Sequence, residues 1–121
     1  MPKVTYKNYR EERPWGSFTQ FALNEPVTVK IITVKAGEAL SLQSHEKRAE
    51  FWRIISGDGV ITIGEAGSAI KAGEDYEIPP ETKHRVEAGS DPVVILEVSR
   101  GDFDEHDIIR FRDKYGRAAA D

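Results

Sequence analysis

The stretch LSLQSHEKRAEFW, residues 40–52, sets a glutamine, a histidine, two glutamates, a lysine and an arginine inside an otherwise apolar, strand-like context. Such groups are costly to desolvate, and buried charges need partners. Either this face looks into water, or a central metal ion or anionic ligand pairs with it. Strand periodicity sharpens the choice. Ser41, Gln43 and His45 share one face, opposite Leu40 and Leu42, while Glu50, Trp52 and Ile54 share a face opposite Phe51, Arg53 and Ile55. If Gln43, His45 and Glu50 point inward, three oxygen or nitrogen ligands converge there. His84, at the start of another strand-like run, supplies a fourth. Two imidazoles, a carboxylate and an amide oxygen suit one divalent ion, zinc first, with manganese, iron, cobalt and nickel also compatible.

Outward from this stretch, short β-rich runs alternate with turn signals. The runs are 17–23, 27–34, 39–45, 50–55, 59–64, 75–79, 84–88 and 93–99, separated by segments such as NEP, KAGE, SGDG and AGSDP. Short, evenly spaced strands with Gly/Pro turns predict an all-β sandwich or barrel. Residues 104–116, DEHDIIRFRDKYG, break the rhythm as a short C-terminal element, either an Asp-capped helix or a last strand. The alanine-rich end after Arg117 reads as frayed.

A chain of 121 residues fits one domain, here residues 1–121 with a core over about 13–117. The net charge of −4 argues against a nucleic-acid partner, whose electrostatic footprint is basic. Absence of cysteine removes disulfides, thiolate metal sites and thiol nucleophiles together. The first residues, MPKVTYKNYREERPWG, hold no apolar run fit for a signal peptide, and no window approaches a membrane span. A cytoplasmic protein without membrane contact is the expectation.

Two motifs carry a resemblance. Gly37, Gln43, His45, Glu50 and Gly57 are spaced as in the first cupin motif, with Gln43 at the position of its leading histidine. Gly73, Pro79 and His84 resemble the second motif, with Glu81 where a glycine is usual and Ala88 where an asparagine is usual. The resemblance implies a double-stranded β-helix, a jelly-roll-like barrel with a central metal. A closer one spans residues 13–117. RPWGSFTQF, KAGEALSLQSHEKRAEFWRIISGDGVI, IPPETKHRVEAG and GDFDEHDIIRFRDKYGR are similar to the C-terminal domain of type II phosphomannose isomerases, which follows a mannose-1-phosphate guanylyltransferase domain. Nothing here resembles a glycine-rich nucleotide loop: SGDGVITIG does not fit the dinucleotide pattern and reads as a hairpin turn.

This family implies a metal-dependent aldose–ketose isomerase of phosphorylated sugars, converting mannose 6-phosphate to fructose 6-phosphate. It implies Gln43, His45, Glu50 and His84 as metal ligands. Arg48 occupies the family's arginine, for substrate contact or transition-state charge. It is expected on a loop reaching over the ion, where its removal would spare metal content and stability. The substrate phosphate needs cations, with candidates Lys47, Arg85 and Arg100, and Arg110 or Arg117 in the tail. The general base is open among Lys35, Glu46 and a metal-bound hydroxide. His106 reads as surface, and Trp15 and Trp52 as barrel packing. Many relatives carry histidines where this chain has Glu46, Lys47 and Phe51, which alters the pocket's electrostatics. A non-haem metal oxygenase and a non-catalytic sugar-binding or regulatory cupin are the other readings. A homodimer is expected, because outward Phe51 and Ile55 need cover.

Overall fold

The computed structural model describes residues 8–117. The expected frayed end after Arg117 lies outside these residues, as do residues 1–7. The elements are β1 (Tyr9–Arg13), β2 (Gly16–Gln20), β3 (Thr28–Val34), β4 (Leu42–Ser44), β5 (Arg48–Ser56), β6 (Gly59–Ile63), β7 (Ala66–Ala69), β8 (Asp75–Ile78), β9 (His84–Ala88), β10 (Val93–Gly101) and β11 (Ile109–Arg112). Two antiparallel sheets form, ordered β3-β10-β5-β8 and β11-β4-β9-β6-β7, with β1 and β2 as a separate hairpin. This is an all-β double-stranded β-helix. No helix among the described residues is long and apolar enough to cross a membrane.

Both sheets contribute to one core. Val34, Trp52, Ile54, Ile78, Val93 and Ile95 come from the first sheet, and Ile61 and Val86 from the second. The alternation that places them is plainest on β10, where Val93 and Ile95 are fully buried and Glu97 and Ser99 continue the same inward row. On β5, Glu50, Trp52 and Ile54 are buried as period two predicts. Around β4 the pattern slips. Residues 40 and 41 precede the strand, and Leu40 packs against the core although Leu42 was its expected face-mate.

Of the two readings of 104–116, the last strand is the one found: a loop leads into β11. Other expectations change. SGDG is no hairpin turn, because β5 and β6 belong to different sheets and the segment is the corner between them. Asp58 builds that corner, accepting hydrogen bonds from the Asp91 amide at 2.7 Å and the Ser90 hydroxyl at 3.2 Å. Trp15 is not barrel packing: it stands 72% exposed at the tip of the β1–β2 hairpin. Phe51 is 8% exposed and packs against Phe21 of the same chain, with ring centroids 5.7 Å apart. Ile55 stays exposed.

Gly57 shows how tight the corner is. It adopts φ +112°, and a Cβ there would meet the Pro92 carbonyl oxygen at 2.2 Å. Gly57→Ala combines a disfavoured dihedral with a backbone clash. It should destabilise the fold by about 2 kcal/mol or more in equilibrium urea unfolding. Parent-like stability would show that the corner relaxes freely.

Candidate metal centre

His45 follows β4, Glu50 lies in β5 and His84 opens β9, so the three side chains come from both sheets. The Glu81 amide donates to the His45 carbonyl at 2.6 Å and joins the two histidine segments. Glu81 does so at φ +65°, the left-handed conformation that glycine adopts without strain. One ligand atom from each of His45, Glu50 and His84 lies within 4.8 Å of the others. His45 Nε2 is 3.5 Å from Glu50 Oε2, and His84 Nε2 is 3.5 Å from Glu50 Oε1. All three residues are buried.

The histidine orientations are fixed from behind. His45 Nδ1 lies 2.7 Å from the Asp107 carbonyl and His84 Nδ1 lies 2.9 Å from the Thr82 carbonyl. A carbonyl only accepts, so each Nδ1 carries a hydrogen, and each ring turns its Nε2 toward Glu50. This backing by carbonyl oxygens is the usual support of metal-bound histidine. Burial pushes the His45 pKa down, against the opposing pull of the Asp107 carbonyl and Glu50. Burial alone would raise Glu50, but His84, His45 and Arg48 outweigh it and hold the carboxyl at about 2. A His45 held back from protonation and an ionised Glu50 are the forms in which these two groups bind a metal. Glu50 Oε1 is buried without a hydrogen-bond partner. Such an orphaned anionic acceptor is expensive unless a cation meets it. The donor set therefore fits a divalent ion, and His45, Glu50 and His84 could hold one. Gln43 lines the same cavity, its amide nitrogen 3.4 Å from the Ser41 carbonyl.

Arg48 is not on a loop. It is the first residue of β5 and is 7% exposed. Its Nε donates to Glu50 Oε2 at 3.0 Å, one terminal nitrogen to His45 Nε2 at 3.2 Å, and the other to the Asp104 carbonyl at 3.2 Å. Its guanidinium also lies 4.3 Å from the Phe103 ring centroid. The segment between β10 and β11 thus grips both Arg48 and His45. Asp107 reinforces it by accepting the amides of Glu46 and Lys47, each at 2.9 Å.

A cavity of about 310 Å³ opens over these groups, at the small end of the range for small-molecule sites. Among the sequence candidates for phosphate, Arg110 lines it, but Lys47, Arg85 and Arg100 do not. Lys47 is exposed. Arg85 follows His84 and so points to the opposite face, into a separate cleft with Glu38, Arg112 and Lys114. Arg100 is held by Glu25 at 2.9 Å and the Phe21 carbonyl at 2.7 Å, and Arg117 pairs with Asp113. Lys35 and Glu46, considered as bases, are exposed and outside the cavity, and His106 is exposed as expected.

Among the cavity residues that sequence reasoning missed are the ionisable Glu97 and Lys30. Glu97 is buried, with Trp52 Nε1 donating to its Oε2 at 3.0 Å. Burial, then the charge of Glu50, pushes its pKa up to about 7. Lys30 reaches the cavity from β3, its ammonium 4.1 Å from the Phe103 ring centroid. Both were readable: Glu97 alternates with Val93 and Ile95, and Lys30 with Ile32 and Val34.

The mannose-6-phosphate isomerase C-terminal family model matches residues 3–113. Xanthan biosynthesis protein XanB of Xanthomonas campestris pv. campestris is 40% identical over 107 residues, 87% of this chain and 23% of that protein. Mannose-1-phosphate guanylyltransferase ManC of Salmonella typhimurium is 39% identical over 107 residues, 87% of this chain and 22% of that protein. The chain thus spans under a quarter of these relatives. A solved protein from Klebsiella pneumoniae with a double-stranded β-helix domain superposes with TM-score 0.58 at 21% identity, covering 62% of this chain and 67% of that one.

Proposed function

The chain belongs to the mannose-6-phosphate isomerase C-terminal family, and from that premise we propose that it is a metal-dependent aldose–ketose isomerase of phosphorylated sugars. Mannose 6-phosphate and fructose 6-phosphate are the proposed substrate pair. The observation that supports this reading is the ligand triangle: two inward Nε2 atoms, each 3.5 Å from one oxygen of the buried Glu50 carboxylate, whose Oε1 makes no hydrogen bond. Zinc suits that donor set best. When bound, the ion supplies Lewis acidity toward the sugar's carbonyl and hydroxyl oxygens.

The remaining roles fall to side chains already in place. His45, Glu50 and His84, with the Gln43 amide oxygen after rotation, hold the ion. The Arg48 guanidinium, buried in a water-poor site, offsets negative charge that develops on the enediolate oxygens. Glu97 lines the same cavity, pairs with neither histidine, and has its Oε2 fixed by the Trp52 indole. In this reading Glu97 holds the proton that moves between C1 and C2.

The direct test is turnover of mannose 6-phosphate by the metal-loaded protein, with fructose 6-phosphate detected by a coupled assay. Glu97→Gln should lower kcat by about 10²–10⁴-fold, the usual worth of a positioned acid–base group, with metal content unchanged. Parent kcat in that variant would remove Glu97 from the chemistry. Tight metal binding without turnover of any hexose phosphate would hand the site to a non-catalytic sugar-binding or oxygenase reading.

A further inference from the structure

We propose that Arg110, assisted by Lys30, forms an anion subsite in this cavity and takes the phosphate monoester of the substrate. The proposal rests on the isomerase reading for the rest of the ligand, but its own support is independent of turnover. Arg110 is in register with Gln43, and Gln43 with His84. Residues in register on neighbouring strands project to the same side, so one row runs from a metal-ligand position to Arg110 across two strand spacings, about 10 Å. The register shifts between Arg110 and Arg112. Arg112 consequently lines the separate cleft on the other face, and Arg110 alone of the pair enters the cavity.

Arg110 Nε is buried with no hydrogen-bond partner, as is Arg85 Nε in the separate cleft, but Arg85 has Glu87 at 3.9 Å whereas no carboxylate pairs with Arg110 among the described residues. Arg48, Arg53, Arg100 and Arg117 each have an acidic partner. A part-buried guanidinium without a counter-ion is destabilising until an anion arrives, and its fork suits a phosphate bidentately. Lys30 approaches from the other sheet, resting on the Phe103 ring. The acids of the cavity are Glu50, Glu97 and Glu105. Glu50 is engaged by Arg48 and the histidines, and a divalent ion beside it makes the cavity net attractive to a dianion.

Calorimetric titration of the metal-loaded chain with inorganic phosphate, mannose 6-phosphate and mannose tests this. Arg110→Ala should weaken phosphate and mannose 6-phosphate binding by about tenfold or more, as expected for loss of a charge-assisted bond. Mannose binding and metal content should not change, which separates lost recognition from lost folding. Arg110→Lys should recover part of the affinity, and Arg85→Ala, in the separate cleft, should match the parent. Arg110→Ala binding phosphate as tightly as the parent would overturn the subsite, as would a parent that binds no phosphate or an equal loss in Arg85→Ala. Loss of phosphate binding at Arg110 in a protein that isomerises nothing would uphold the subsite and remove the isomerase reading.

Discussion

Replacing His84 with alanine should empty the centre of metal. Even the supporting partners of metal ligands are worth roughly 10–100-fold in affinity, so loss of a ligand that is 1% exposed should exceed that. The consequence extends to stability. At a hundredfold excess of metal over its Kd the parent gains about 2.7 kcal/mol from binding, and the variant should gain none. Glu50 also loses the neighbour that does most to offset its burial, so desolvation drives its carboxyl toward protonation. Metal content by elemental analysis and melting with and without chelator give the answer. A variant that retains stoichiometric metal would end the proposed ligand set.

Arg48→Ala should give the second large effect, and the two conditions should diverge. The guanidinium now satisfies Glu50 Oε2 and His45 Nε2, the same lone pairs a metal ion needs. In chelator the variant leaves a buried carboxylate short of its cation, a change that typically removes about 3–5 kcal/mol. In excess metal the ion meets those atoms, so the deficit should shrink and affinity for metal should hold or rise. Isomerase turnover should nevertheless fall about 10²–10³-fold, because the positive charge beside the developing enediolate is gone. Equal destabilisation with and without metal would show that Arg48 and the ion do not share ligands. Parent-rate turnover would show that Arg48 takes no part in the chemistry.

The barrel was legible in the even spacing of short strands and Gly/Pro turns, and the His45, Glu50 and His84 cluster in the shared parity of β5 with the motif spacing around it. What was not legible depended on distant partners. β1 reads YREER and β7 reads AGSA, neither with an apolar row, and each is a strand by virtue of its hairpin neighbour. SGDG looks the same whether its strands pair or part, and here they enter different sheets. The phosphate candidates misled for a related reason. Arginines at 85, 100 and 110 are equivalent as letters, while their faces are set by one residue of parity, an ion pair to Glu25, and a register shift. Arg48 was located in sequence but not in space, since its partners Phe103 and Asp104 arrive from a segment 55 or more residues later.

That segment gives the site an order of assembly in time. The contacts of His45 with Asp107 and of Arg48 with Asp104 span 62 and 56 residues. A nascent chain that has reached residue 101 already holds all three ligand residues and ten of the strands named above. It still lacks the carbonyls that orient His45 and tether Arg48, the Phe103 ring, and the whole of β11 with Arg110. On the ribosome, at roughly 5–20 residues per second, those pieces follow within a few seconds. The His45 ring and the Arg48 guanidinium therefore gain their carbonyl partners only when the segment leading into the last strand is in place.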